Sequence, residues 1–152
     1  MANTIVAFGP RMKLFLDCEF TNFQGHLISM ALIDENGKSF YEVVNFNEVD
    51  CHEWVLDNVI PILLKQPMPY EDFQRSLRTF LRQYDTIEVI ADWPEDFWHF
   101  TQALLTGPGM MMDIPKLTMT MERRLDYVSD IPHNALEDAI AIRKAYFKKY
   151  TP

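Results

Sequence analysis

The run Leu14-Phe15-Leu16-Asp17-Cys18-Glu19-Phe20 decides how the rest of the chain is read. An apolar stretch ends in two carboxylates one residue apart, and in a β-strand residues at i and i+2 point to the same face. Asp17 and Glu19 therefore stand side by side at the end of a core strand. Two such carboxylates repel each other and are costly to bury unless a cation or a strong set of donors neutralises them. The ordinary alternative places Glu19 just past the strand, in solvent and paired with a lysine or arginine. Which reading holds depends on what the rest of the chain supplies.

Working outward from this strand, Thr21 to Gly25 turns the chain into a mostly apolar segment, His26 to Ile33, closed by Asp34-Glu35-Asn36-Gly37. Asn-Gly is a hairpin signal, and Ser39 to Phe46 is rich in aromatic and β-branched residues. Three strands with short turns imply an antiparallel meander with the acidic strand first. Trp54, Val55, Val59 and Ile60 fall at helical spacing until Pro61 removes a donor. After Gln66-Pro67-Met68-Pro69, a cleaner helix spans about Tyr70 to Tyr84, with Phe73, Leu77, Phe80, Leu81 and Tyr84 on one stripe. Arg75, Arg78 and Arg82 form a solvated face or a phosphate-contacting row.

Thr86 to Ala91 reads as a buried strand parallel to the first after the helical crossover. Asp92-Trp93-Pro94-Glu95-Asp96 then opens a helix reaching about Leu105, and either aspartate has an ordinary use as a helix cap. Gly107-Pro108-Gly109 breaks that helix, Met110 to Met112 is expected to be an apolar loop, Lys116 to Met121 a strand, and Glu122 to Ile131 a polar loop or short helix. Asn134-Ala135-Leu136-Glu137 has the spacing of a capping box and starts a helix to about Tyr150. The fold class is α/β: a five-stranded mixed sheet with helices on both faces, forming one domain over residues 12–152. Residues 1–11 are expected to be an N-terminal extension or leader.

Composition narrows the function classes. With 152 residues, 48% of them hydrophobic, the chain supports one sizeable core. It lacks a run long and apolar enough for a membrane span, and its first residues lack the pattern of a signal peptide, so a cytoplasmic protein that does not engage membranes is expected. Cys18 and Cys51 form no disulfide or metal framework. The formal charge of -8 argues against tight nonspecific binding to long nucleic acid. It leaves room for a nucleic-acid enzyme, because two divalent cations held by four of those acids would bring the charge to -4.

Asp17 with Glu19, then Asp92 or Asp96, then His133 five residues before Asp138 stand in order along the domain. In this order the chain resembles the DEDDh 3′-to-5′ exonucleases of the ribonuclease H-like superfamily, which include ribonuclease T, oligoribonuclease and polymerase proofreading domains. Leu16-Asp17-Cys18-Glu19-Phe20-Thr21 matches the family's first motif, a D-x-E ending the first strand, and His133-Asn134-Ala135-Leu136-Glu137-Asp138 matches its H-x(4)-D motif. In relatives the middle motif often reads H-N-x-x-F-D, where this chain has Ala91-Asp92-Trp93-Pro94-Glu95-Asp96. Aligned on spacing, Asp96 takes the place of the metal-binding aspartate and Asp92 that of the asparagine, with Asp92 the alternative third acid.

The resemblance implies a ribonuclease H-like sheet and a two-metal-ion exonuclease that releases nucleoside 5′-monophosphates from single-stranded 3′ ends, with RNA slightly favoured over DNA. Two Mg²⁺ or Mn²⁺ ions would be held by Asp17, Glu19, Asp96 and Asp138, hard oxygen ligands suited to hard cations. His133 would be the general base, a task that suits an imidazole. Phe20 would stack on the terminal nucleotide and Thr21 would contact its 3′ hydroxyl. Many relatives are dimers, and the arginine row or the methionines offer a second copy a surface. The rival expectation is a catalytically silent nucleic-acid-binding or protein-interaction module on the same fold, for which the full acid set with its histidine would have no use.

Overall fold

A computed structural model describes residues 11–152; of the expected N-terminal extension or leader, residues 1–10 lie outside the described residues. The chain runs β1 (Met12–Phe20), β2 (Leu27–Asp34), β3 (Ser39–Val44), α1 (Glu53–Asn58), β4 (Pro67–Met68), α2 (Tyr70–Leu81), β5 (Thr86–Ala91), α3 (Pro94–Ala103), β6 (Leu105–Gly107), β7 (Met110–Met111), β8 (Lys116–Met121) and α4 (Ala135–Tyr150). The main sheet has six strands in the order β4-β3-β2-β1-β5-β8, and β6 with β7 forms a separate hairpin. β1 to β3 are the expected antiparallel meander, with Leu16 opposite Leu32 and Ala31 opposite Tyr41. β5 lies parallel to β1, placing Ile90 beside Phe15, and β8 lies parallel to β5.

The expected count of five strands is corrected to six. The extra strand is β4, two residues beside Val43 and Val44. Pro67 fits there because an edge position does not require its missing N–H. Met110 and Met111 form a hairpin strand instead of a loop, turning through Gly109 at φ 67°. The helix expected to reach Tyr84 stops at Leu81, and the segment around Pro61 divides into α1 and a single 3-10 turn at Ile60–Ile62.

The alternation of β1 sorts the core. Leu14, Leu16 and Cys18 face α2 and α3, where they pack with Phe73, Leu77, Phe100 and Ala103. Phe15 faces the other way, with Ala31, Ile33 and Ile90, against Ala135, Ala139 and Ile142 of α4. Farther along that face, Ile28 and Val43 receive Val55 of α1 and Val59, which caps its C-terminal end. Helices therefore cover both faces of the sheet, and the strip between α1 and α4 receives the next two side chains of β1 on that side, Asp17 and Glu19.

Candidate metal centre and adjoining cleft

Four segments bring the acids together. Asp17 lies opposite Ala31 and Glu19 opposite Ser29, on the α4 face. Because Phe15 and Ile90 are parallel neighbours, two further residues along each strand set Asp92 beside Asp17. Asp96 comes from the first turn of α3, where Pro94 occupies the start of the helix, a position that tolerates its missing donor. Its Oδ1 accepts the Cys18 N–H at 3.1 Å, which pins the start of α3 to the acidic strand. Neither aspartate caps α3: the cap position is Trp93, with no side-chain cap bond.

Asp138 arrives from α4. Asn134 caps that helix, its Oδ1 accepting the Glu137 N–H at 3.1 Å while its Nδ2 donates to the Ile62 carbonyl at 2.9 Å. Asp138 reaches back over the same turn and accepts the His133 N–H at 3.1 Å. This bond gives the five-residue spacing a physical role, since it holds His133 in a left-handed conformation, φ 71°, just ahead of the helix. The His133 ring meets the edge of Trp54 at a centroid distance of 4.7 Å.

The ligand atoms fall into two groups, Asp17, Asp92 and Asp96 in one and Glu19, His133 and Asp138 in the other, with all atoms of a group within 4.8 Å of one another. Sequence reasoning set Asp92 and Asp96 in competition, and the structure brings both to the site. Asp17, Asp96 and Asp138 are 8%, 2% and 8% exposed, and each has a buried carboxylate oxygen with no hydrogen-bond partner. Burial, with the charges of Asp96 and Glu19 next in weight, holds the Asp17 carboxyl well above its ordinary range. Burial, then the charge of Asp138, pushes Glu19 up to about 9. Asp96, Asp92 and Asp138 shift upward too, each chiefly by burial. Orphaned, mutually repelling buried carboxylates are what a hard divalent cation neutralises, so this donor set fits Mg²⁺ or Mn²⁺.

Beside the acids opens a cavity of about 490 Å³ lined by Glu19, Phe20, Asn22, Phe23, His52, Trp54, Val55 and His133. Phe20 stacks on His99 at 5.3 Å, which steadies it in the wall. Thr21 is 2% exposed, is not part of the lining, and its hydroxyl accepts the His26 N–H at 2.9 Å. It shapes the β1–β2 loop, where Gly25 passes so close to its hydroxyl that a Cβ would collide. The same loop holds α1, because the Thr21 carbonyl accepts the His52 N–H at 2.8 Å and His52 Nδ1 accepts the Trp54 N–H at 3.1 Å.

His52, Trp54, Asn22 and Tyr127 escaped the sequence reading. The sequence pattern counts Trp54 with Val55 and Val59 at helical spacing, yet only the two valines reach the core, and Trp54 stays exposed at the cavity. Tyr127 lies where the sequence has no periodicity, and burial and the neighbouring Asp92, Asp17 and Asp138 raise its hydroxyl pKa. Among the described residues no helix is long and apolar enough to cross a membrane. Comparison with protein-family models and with curated proteins found no match to this chain.

Proposed function

We propose that this protein is a two-metal-ion 3′-to-5′ exonuclease of the DEDDh type, acting on single-stranded nucleic acid or 3′ overhangs. The observation that supports this most strongly is the convergence of Asp17, Glu19, Asp96 and Asp138 with His133, orphaned carboxylate oxygens included, at the mouth of an aromatic-walled cavity. The sheet order supports the ribonuclease H-like reading as well: the meander β3-β2-β1 continues into two parallel strands, with β4 a two-residue addition at the edge.

Asp17, Glu19, Asp96 and Asp138 would hold the cations, which supply charge neutralisation at the phosphoryl oxygens and acidify a bound water. The residues of the chain do the rest. His133, on the cavity side of the acids, accepts the proton of the attacking water at a ring nitrogen. The backbone bond to Asp138 and the edge contact with Trp54 limit where that ring can go. Phe20 and Trp54 present apolar ring surface to the terminal base, and base-on-aromatic stacking tolerates any sequence. An acidic protein with a concave site suits a chain end better than a long duplex, for which dense positive charge would be needed.

The test is direct. Labelled single-stranded RNA and DNA, incubated with the protein and Mg²⁺ or Mn²⁺, should give a ladder shortened from the 3′ end with nucleoside 5′-monophosphate as product. Internal cuts, or no cuts by a protein shown to bind the cations, would reject the proposal.

A further inference from the structure

We infer that Asp92 is a cation ligand in its own right, joining Asp17 and Asp96 in a three-carboxylate site where the resembled motif has an asparagine. The inference rests on the two-cation reading above and adds to it a fifth carboxylate.

The ligand oxygens of Asp17, Asp92 and Asp96 lie within 4.8 Å of one another. Mg²⁺ holds oxygen ligands at roughly 2.0–2.1 Å, about 4.2 Å between opposite ligands, so the three carboxylates need draw in by only roughly half an ångström for one ion to take all three. Asp17 and Asp96 are more than nine-tenths buried, and an oxygen of each, Oδ2 in both, is buried without a partner. Two buried carboxylates, each with an orphaned oxygen, stand beside a third, a charge arrangement that suits a divalent cation, and nothing else among the described residues bonds those two oxygens.

Asp92 has other partners, the Tyr127 hydroxyl, its own N–H and the charge of Arg123, none of which reaches the orphaned oxygens of Asp17 and Asp96. It does not cap α3, whose cap is Trp93. Arg123, the nearest cation, donates to the Asp92 carbonyl oxygen at 3.0 Å and lies over the Trp93 ring at 5.3 Å. The Glu122 N–H donates to the Ala91 carbonyl at 2.8 Å. The segment leaving β8 thus clamps the backbone on either side of the Ala91–Asp92 bond and leaves the carboxylate turned toward Asp17.

The experiment titrates the full-length protein with Mn²⁺ alone, without nucleic acid, following free Mn²⁺ by electron paramagnetic resonance. Asp92→Asn keeps shape and removes charge. It is expected to weaken the tightest Mn²⁺ site by at least the ten- to hundredfold that loss of a mere orienting partner costs, with circular dichroism unchanged. Equal affinity in the wild type and in Asp92→Asn overturns the inference and leaves the exonuclease reading standing. No Mn²⁺ binding by the wild type overturns both. A wild type that binds Mn²⁺ through Asp92 yet leaves RNA and DNA intact overturns the exonuclease reading alone. Should Asp92→Asn fail to fold, Fe²⁺ substituted into the wild type with ascorbate and peroxide reads the same point: backbone cleavage next to residues 17, 92 and 96 is expected, and cleavage near 17 and 96 without 92 overturns the inference.

Discussion

The two faces of β1 are built from the same nine residues and behave as opposites. Toward α2 and α3, Leu14, Leu16 and Cys18 sit in a closed apolar layer. Toward α4, Phe15 packs edge-on against Tyr146 and Phe147 at 5.2 and 5.6 Å, and the next two side chains on that face are the acids Asp17 and Glu19. One face contributes stability through burial; the other subtracts from it, because each carboxylate there is disfavoured in its charged form. The strand can hold this conflict because it is central, braced by β2 and β5, and backed by the larger of the three apolar clusters.

Substitutions on the two faces should therefore separate activity from stability. Asp17→Asn is expected to reduce nuclease activity to background while raising the melting temperature of the metal-free protein, since it removes a repelled buried charge. Leu16→Ala, one residue away, is expected to lose about 2–5 kcal/mol of stability by the usual cost of a core cavity, with activity of the folded fraction retained. Urea melts and single-turnover assays on the two variants read this directly. A destabilised Asp17→Asn, or an inactive but stable Leu16→Ala, would break the contrast between the faces.

His133→Ala should come next in size. Loss of a positioned general base slows the chemical step by about 10²–10⁴-fold. His133 also sits within ligand distance of Glu19 and Asp138, so Mn²⁺ affinity tells its two uses apart. A base leaves affinity nearly intact, whereas a parallel loss of affinity would make the imidazole a ligand.

The acid face also sets a pH dependence. Glu19 has its carboxyl pushed up to about 9 in the folded protein, against an ordinary value near 4.3 when unfolded. The folded state thus holds a proton that the unfolded state releases, and the stability linked to this group is full below about pH 4 and lost as pH rises toward 9. Asp17 and Asp96 shift in the same direction. The metal-free protein should melt at falling temperature from about pH 5 to about pH 8, and added Mg²⁺ should restore more at the higher pH, where it displaces fewer protons. A Mg²⁺ shift that shrinks as pH rises would contradict this.

How much of this was legible in the sequence follows from which signals are local. The bounds of β5 and β8 and the Asn134 cap could be read because alternation and capping need only neighbours in sequence. β4 could not, since two residues with a proline have no period and become a strand only when Val43 and Val44 lie beside them. The same limit applied to the site. A linear alignment has one slot for a third acid, so Asp92 and Asp96 looked like rivals; the β1–β5 register delivers one and the first turn of α3 the other. Trp54 reads in the sequence as one more member of its helix stripe, because what makes it a cavity wall is the loop bond that brings α1 to the end of β1.

Trp54→Ala gives the smallest expected effect and tests the boundary of the acid face. The ring is 46% exposed, and α1 is held by Val55 and Val59, so the variant should fold with little loss. Stacking of a base on an aromatic ring is worth roughly 1–3 kcal/mol, so KM for a short oligonucleotide should rise about tenfold or more while kcat holds. Trp54→Phe should recover most of the loss, because a flat apolar face is what the base needs. The ring also touches His133 edge-on, so a second outcome is informative. If kcat falls and KM does not, the tryptophan orients the imidazole instead of the substrate, and the nucleotide must be gripped by Phe20, the other ring expected to stack on it.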